Sequence, residues 1–196
     1  MKNMVHLVMT LSLAVCLANC GAGREQIRTE SITERKGKFQ EVTTADGPPP
    51  GFADVVVKAS FKTHLSGEGA LLESGDSPHG RPFYRFVVNI GGQAVTWEVP
   101  GQRENLPVGK GRHFPEEGEG MRYVLEKKIR LHAGAHSIFF GVPEENYTKT
   151  VTVNLPEGKS STLEFQPIYP RYKWGHPTFQ LGFLGFSACL DHTSIN

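Results

Sequence analysis

Past Phe52 the apolar residues fall into short runs separated by turn-forming residues, at 54–65, 82–90, 93–99, 121–131, 136–142, 149–155 and 161–168. In Thr150-Val151-Thr152-Val153-Asn154-Leu155 apolar and polar side chains alternate strictly, and Thr162-Leu163-Glu164-Phe165-Gln166 repeats the pattern. A period of two puts alternate side chains on opposite faces of a strand, so each run predicts a strand with one face in a core and one in water. Seven such strands predict an all-β domain, an immunoglobulin-like or transthyretin-like antiparallel sandwich. Pro156-Glu157-Gly158-Lys159 reads as a hairpin between the last two strands. Gly91-Gly92 predicts a second hairpin, since paired glycines accept the positive φ of the primed turns, with Tyr84, Phe86, Val88, Val95, Trp97 and Val99 lining the core.

Two long polar stretches, 66–81 and 100–120, read as loops, where binding residues collect on a rigid β scaffold. After Pro170 the texture changes, with Tyr172, Trp174, Phe179, Phe183 and Phe186 interleaved with Gly175, Gly182 and Gly185. Either 180–188 forms a last strand that takes Phe179, Leu181 and Phe183 into the core, or the rings make an exposed surface for carbohydrate or protein. Tyr172 and Trp174 are the candidate ligand contacts in the second case. A carbohydrate platform would also need Trp97 exposed beside them.

The first nineteen residues have a different pattern: Lys2, then an apolar run over 5–17 that is too short to span a bilayer, ending at Cys20. Leu17-Ala18-Asn19-Cys20 resembles the bacterial lipobox, in which a cysteine thiol is joined to diacylglycerol and becomes the new N-terminus. The family pattern prefers a smaller residue where Asn19 stands. An ordinary secretory signal and an uncleaved anchor are the alternatives. The resemblance implies a lipid-anchored protein of the cell envelope with Cys20 as the lipidated residue, and Gly21 in place of Asp implies the outer membrane. Residues 20–51 are polar and end in Gly47-Pro48-Pro49-Pro50-Gly51, which predicts a flexible tether of roughly 30 Å root-mean-square reach. The alternative is that part of 34–43 adds an edge strand. The chain thus divides into a signal peptide (1–19), a lipidated cysteine and tether (20–51), a β domain (52–170) and an aromatic tail (171–196).

Composition adds mainly exclusions. Lys and Arg number 21 against 20 Asp and Glu, and removing a leader that contains Lys2 leaves 20 against 20. With no basic run, nucleic acid is not an expected partner. Neither a Gly-x-Gly-x-x-Gly nor a phosphate-loop sequence occurs, and no cofactor is expected. With Cys20 acylated, Cys189 has no partner in its own chain, so disulfides do not frame the fold.

Leu131-His132-Ala133-Gly134-Ala135-His136, followed by Tyr147 and the two alternating strands, resembles a PEGA-type module, a small extracytoplasmic β-sandwich repeat. Asn146 stands where that family has a corner glycine. The resemblance implies a non-catalytic module near a cell envelope. Read as chemistry instead, His113, His132 and His136, with His176 in reserve, are weak candidate metal ligands that would have to converge in space. A histidine that bonds the backbone at a corner is the alternative for His136. The reading as a whole is a lipid-anchored, non-enzymatic module that binds protein or polysaccharide at the envelope.

Overall fold

The computed structural model describes residues 23–43, 46–67, 77–109, 113–171 and 175–195. Its strands are β1 (Phe39–Glu41), β2 (Phe52–Thr63), β3 (Phe83–Ile90), β4 (Gln93–Leu106), β5 (Gly118–His132), β6 (Gly134–Val142), β7 (Tyr147–Leu155), β8 (Ser160–Ile168), β9 (Gly185–Leu190) and β10 (Thr193–Ile195). They form one mixed sheet in the order β10-β9-β8-β2-β5-β4-β3-β6-β7, with β1 paired to β5. The sheet rolls nearly into a barrel, and the Tyr147 hydroxyl on β7 donates to the Phe186 carbonyl on β9 at 2.9 Å.

All-β is correct, but the seven-stranded antiparallel sandwich gives way, among the described residues, to ten strands, one pair of which (β2 and β8) is parallel. Each of the seven expected runs is a strand. The extra three are short, and β1 and β10 have three residues each, too few for alternation to register. β4 also continues to Leu106, through residues expected as loop, because its second half pairs with β5 after its first half has paired with β3. Its bend joins the two halves of the barrel.

Alternate residues of each long strand close the core. Val55, Val57, Ala59 and Phe61 of β2 meet Tyr84, Phe86 and Val88 of β3, Tyr123 and Leu125 of β5, Phe140 of β6 and Phe165 of β8, all buried. Phe140 and Phe165 stack at 3.9 Å between ring centroids, tying opposite walls together. Trp97 is also in this core, its indole Nε1 donating to the Glu41 carboxylate at 2.8 Å.

The Asn89–Gln93 hairpin forms as expected, with Gly91 and Gly92 at φ of 59° and 88°. Pro156–Lys159 does not make one. β7 pairs with β6, while β8 pairs with β2 and β9, so the link carries the chain between opposite walls. Both flanking strands need their apolar face in the core, and strands on facing walls can both supply it. The link is fastened to the start of β2, where Gly158 N donates to Phe52 O and Asp54 N to Lys159 O.

The expected flexible tether is, over its described residues, part of the fold. Residues 23–30 are helical and lie on the outside of β3 and β6, where Ile27 is buried with Val87 and Phe139. Glu34 and Arg35 donate their backbone amides to Gly92 O, and Thr33 exchanges hydrogen bonds with Ala94. β1 then buries Phe39 and pairs along β5. These apolar residues are too widely spaced to give a local period, so only the sheet reveals what they cover.

Candidate functional site

The most developed site lies where β2 and β8 part. Their parallel register runs from Asp54↔Ser160 to Ala59↔Phe165 and stops. On β8 the carbonyls of Thr162 and Ile168 accept from the β9 side, so the odd-numbered residues between them, Leu163, Phe165 and Pro167, turn their backbone groups towards β2. Proline has no N–H to donate, and the ladder cannot continue past it. The amide of Lys62, which faces the gap, instead donates to the Tyr169 hydroxyl at 2.7 Å.

The gap is a cleft of about 520 Å³ on the outward side of the sheet, lined by Ser60, Arg122, Glu164 and Gln166 and walled by Leu106, Phe114, Pro115 and Pro167. At its inner end is a closed polar network. Lys62 has a fully buried side chain, and its ammonium donates to Glu116 O at 3.1 Å and Gly118 O at 2.7 Å, lies 3.5 Å from Glu104, and faces the Phe179 ring at 4.9 Å. Arg122 donates to Glu104 at 2.8 Å, to Ser60 Oγ at 3.0 Å and to Glu116 at 2.6 Å. The other Glu116 oxygen accepts from the Tyr169 hydroxyl at 2.6 Å.

Two cations and two carboxylates balance here, and that is how so much charge stays in a covered place. Burial pushes the Lys62 ammonium below its ordinary pKa, opposed by Glu104. Burial works against the Glu104 charge too, but the hydrogen bonds and charges of Arg122 and Lys62 prevail and hold its carboxyl low. The Tyr169 hydroxyl is raised far above the usual phenol range, first by burial and then by the adjacent Glu116 charge. These groups are committed to one another, so an occupant of the cleft meets mainly apolar wall.

A second buried polar chain links loop to strand. His64 Nδ1 lies 2.9 Å from Leu65 O, His64 Nε2 lies 2.8 Å from His79 Nδ1, and His79 Nε2 lies 3.2 Å from Glu145, which also accepts from the Tyr84 hydroxyl at 2.7 Å. Burial raises the Tyr84 phenol strongly, with Glu145 adding to the effect, and Tyr123, whose ring lies 4.3 Å away, is pushed up to about 12 by burial.

The expected candidates are scattered. His113 pairs with Glu117 at 3.0 Å and packs on His176 at 5.2 Å between centroids. His132 stacks on Phe52 at 4.5 Å, and the His136 ring donates to His132 O at 2.7 Å, the backbone-bonding alternative. Fourteen residue steps of β5 stand between Gly118, close after His113, and His132, about 45 Å at the rise of a strand. The three histidines therefore do not converge. Among the described residues, no group of three His, Cys, Asp or Glu side chains is placed to hold a metal ion.

Trp97, in the core, is unavailable to an exposed platform, whereas Cys20, Tyr172 and Trp174 lie outside the described residues. Phe179 and Phe186 are buried and Phe183 packs against the core, as the core alternative expects, but the expected strand over 180–188 is a 3-10 turn at Phe179–Leu181 followed by β9 at Gly185–Leu190, so Phe179 and Phe183 enter the core from outside any strand. Cys189, on β9, is half-buried and free.

The sequence reading missed Lys62, Glu104, Glu116, Arg122 and Tyr169. A signal was present in Lys62, which sits on the polar alternate of β2 next to a core Phe61. Its partners are 42 or more residues away in the chain, beyond any local pattern. No family model matches this chain, and comparison with curated proteins and with solved structures returned no match.

Proposed function

We propose that this protein is a lipid-anchored, non-catalytic module of the cell envelope, held through Cys20, and that it binds a protein partner in the cleft between β2 and β8. The observation that carries the reading is the chemistry of that cleft. The Lys62, Arg122, Glu104 and Glu116 charges at its inner end are spent on one another and the Glu164 carboxylate accepts from the Gln166 amide at 3.1 Å, while Leu106, Phe114, Pro115 and Pro167 form its walls, and Phe114 is 61% exposed. A sugar would bring hydroxyls that lose water and find few open partners, at a cost of roughly 1–3 kcal/mol for each unmet bond. An apolar side chain from a protein loses nothing of that kind and gains about 25 cal/mol per Å² covered.

The PEGA-type resemblance at 131–147 agrees with a non-catalytic role. Asn146, in place of the family's glycine, adopts the left-handed conformation, with φ of 52°, that a glycine would otherwise supply.

Photo-crosslinking in the membrane-anchored full chain tests the proposal. A crosslinking amino acid at Gln166, on the cleft, is expected to capture a discrete envelope protein, and Ser60→Trp, which fills the cleft, is expected to abolish the capture. A probe at Lys149, on β7, is expected to capture nothing in common. Identical products from both positions would refute the cleft as the binding site. Loss of membrane association in a Cys20→Ser variant tests the anchor separately.

A further inference from the structure

The packing of residues 23–30 on the barrel has a consequence for how the domain stands on a membrane, and it rests on the reading of Cys20 as the acylated residue. A Cβ on Gly23 would lie 3.0 Å from the Asn146 carbonyl oxygen, so the helix begins against the corner that leads into β7. Cys20 is three residues before it. Three Cα steps of 3.8 Å reach at most about 11 Å. The head-group layer on each side of a bilayer is about 6 Å deep. A protein acylated at Cys20 therefore has no room for a stalk, and the Asn146 corner must lie at the head groups.

That end of the barrel also carries exposed apolar side chains. Gly185 packs against the Tyr147 ring, beside Asn146, and the next residue back, Leu184, is 63% exposed and donates its amide to Ile168 O. Ile168 is 44% exposed, and Phe83, at the start of β3 on the same end, is 49% exposed. Apolar side chains in water at the place where the anchor enters lipid are the arrangement expected of an interfacial contact.

We infer that the domain lies directly on the bilayer by the end that carries Asn146, Leu184, Ile168 and Phe83, with these apolar side chains in the lipid–water interface. The cleft is lined by outward-facing residues of β2, β5 and β8, so it opens from the wall of the barrel, close to the bilayer because its wall residue Pro167 adjoins Ile168.

The test uses the full chain purified from membranes, with Cys189→Ser, and a fluorophore at one introduced cysteine, Leu184→Cys or Phe83→Cys on the proposed contact and Glu157→Cys at the far end. Glu157 follows β7, whose nine residues span about 25 Å. In phosphatidylcholine vesicles that contain head-group spin-labelled lipid, the probes at 184 and 83 are expected to be quenched severalfold more than the probe at 157. Equal quenching in protein whose intact mass includes the acyl chains overturns the orientation and leaves the anchor standing. Absence of acyl mass overturns both.

Discussion

The Tyr169 hydroxyl accepts a hydrogen bond from the Lys62 amide at 2.7 Å and donates one to Glu116 at 2.6 Å, so one side-chain atom completes an interrupted β ladder and a charge network together. Removing that oxygen while keeping the ring leaves a buried amide and a carboxylate oxygen without this partner. Tyr169→Phe is expected to cost about 2–6 kcal/mol, at roughly 1–3 for each of the two unmet groups. Hydrogen exchange should show the Lys62 amide losing protection. Unchanged melting temperature together with unchanged protection at Lys62 would show that the hydroxyl has no such role.

Asp54 makes stability sensitive to acid. Its side chain is fully buried between Arg130 at 2.7 Å and Lys128 at 2.8 Å, and the Arg130 hydrogen bond, ahead of the opposing effect of burial, holds its carboxyl below the ordinary value of 3.8. As pH falls past that value the unfolded chain takes up the proton first. The stabilisation is complete above it and is lost as pH falls through the lower, folded value. Asp54→Asn leaves two cations facing a neutral amide and is expected to cost about 3 kcal/mol at pH 7. Denaturation in urea at several pH values checks this, since the variant should lose less stability than the wild type on acidification. Parallel pH profiles would remove Asp54 as the cause.

Proton counting along the buried histidine chain gives a third expectation. The Leu65 carbonyl can only accept, so His64 Nδ1 carries a proton and its Nε2 is the acceptor for His79 Nδ1–H. His79 Nε2 faces Glu145, another acceptor, so it too carries a proton. His79 is then an imidazolium paired with Glu145. Nitrogen-15 chemical shifts should place both His79 nitrogens in the protonated range at pH 7, and Glu145→Gln should return one of them to the unprotonated range. A neutral His79 in the unaltered protein would overturn this assignment.

Two glycines should respond differently to alanine. Gly185 has φ of 143°, and a Cβ there would collide with the Tyr147 ring, so Gly185→Ala is expected to cost roughly 2 kcal/mol or more. Gly47 has open space around its would-be Cβ and no positive φ, so Gly47→Ala should change stability by less than about 1 kcal/mol in either direction. Paired thermal melts decide the comparison, and similar losses at both positions would mean that the Tyr147 contact is unimportant.

How legible the fold was depended on the length of each element. β7 and β8 were visible as alternation at Val151, Val153 and Leu155 and at Leu163 and Phe165, because burial on one face imposes a period of two on the residues themselves. The turn at Gly91-Gly92 was visible because few residues tolerate its backbone angles. Ile27 and Phe39 were not legible as core residues, since the patches they cover, Val87 with Phe139 and the face of β5, belong to distant parts of the chain. The candidate site was barely legible. Pro167 and Tyr169 each look ordinary after a strand, and their role appears only against β2.

By itself the sequence determined that this chain builds short, one-face-buried strands, where most of them begin and end, and one of its turns, because those properties follow from each residue and its near neighbours. Only the tertiary structure decided which strands lie side by side. Alternation says that a strand has an inner face but not which edge it presents to which neighbour, so the Pro156–Lys159 link could equally close a hairpin or cross the barrel. The same limit applies to the Lys62, Glu104, Glu116 and Arg122 network, since charges paired across 6, 18 and 42 residues are brought together by strand register, which no local pattern specifies.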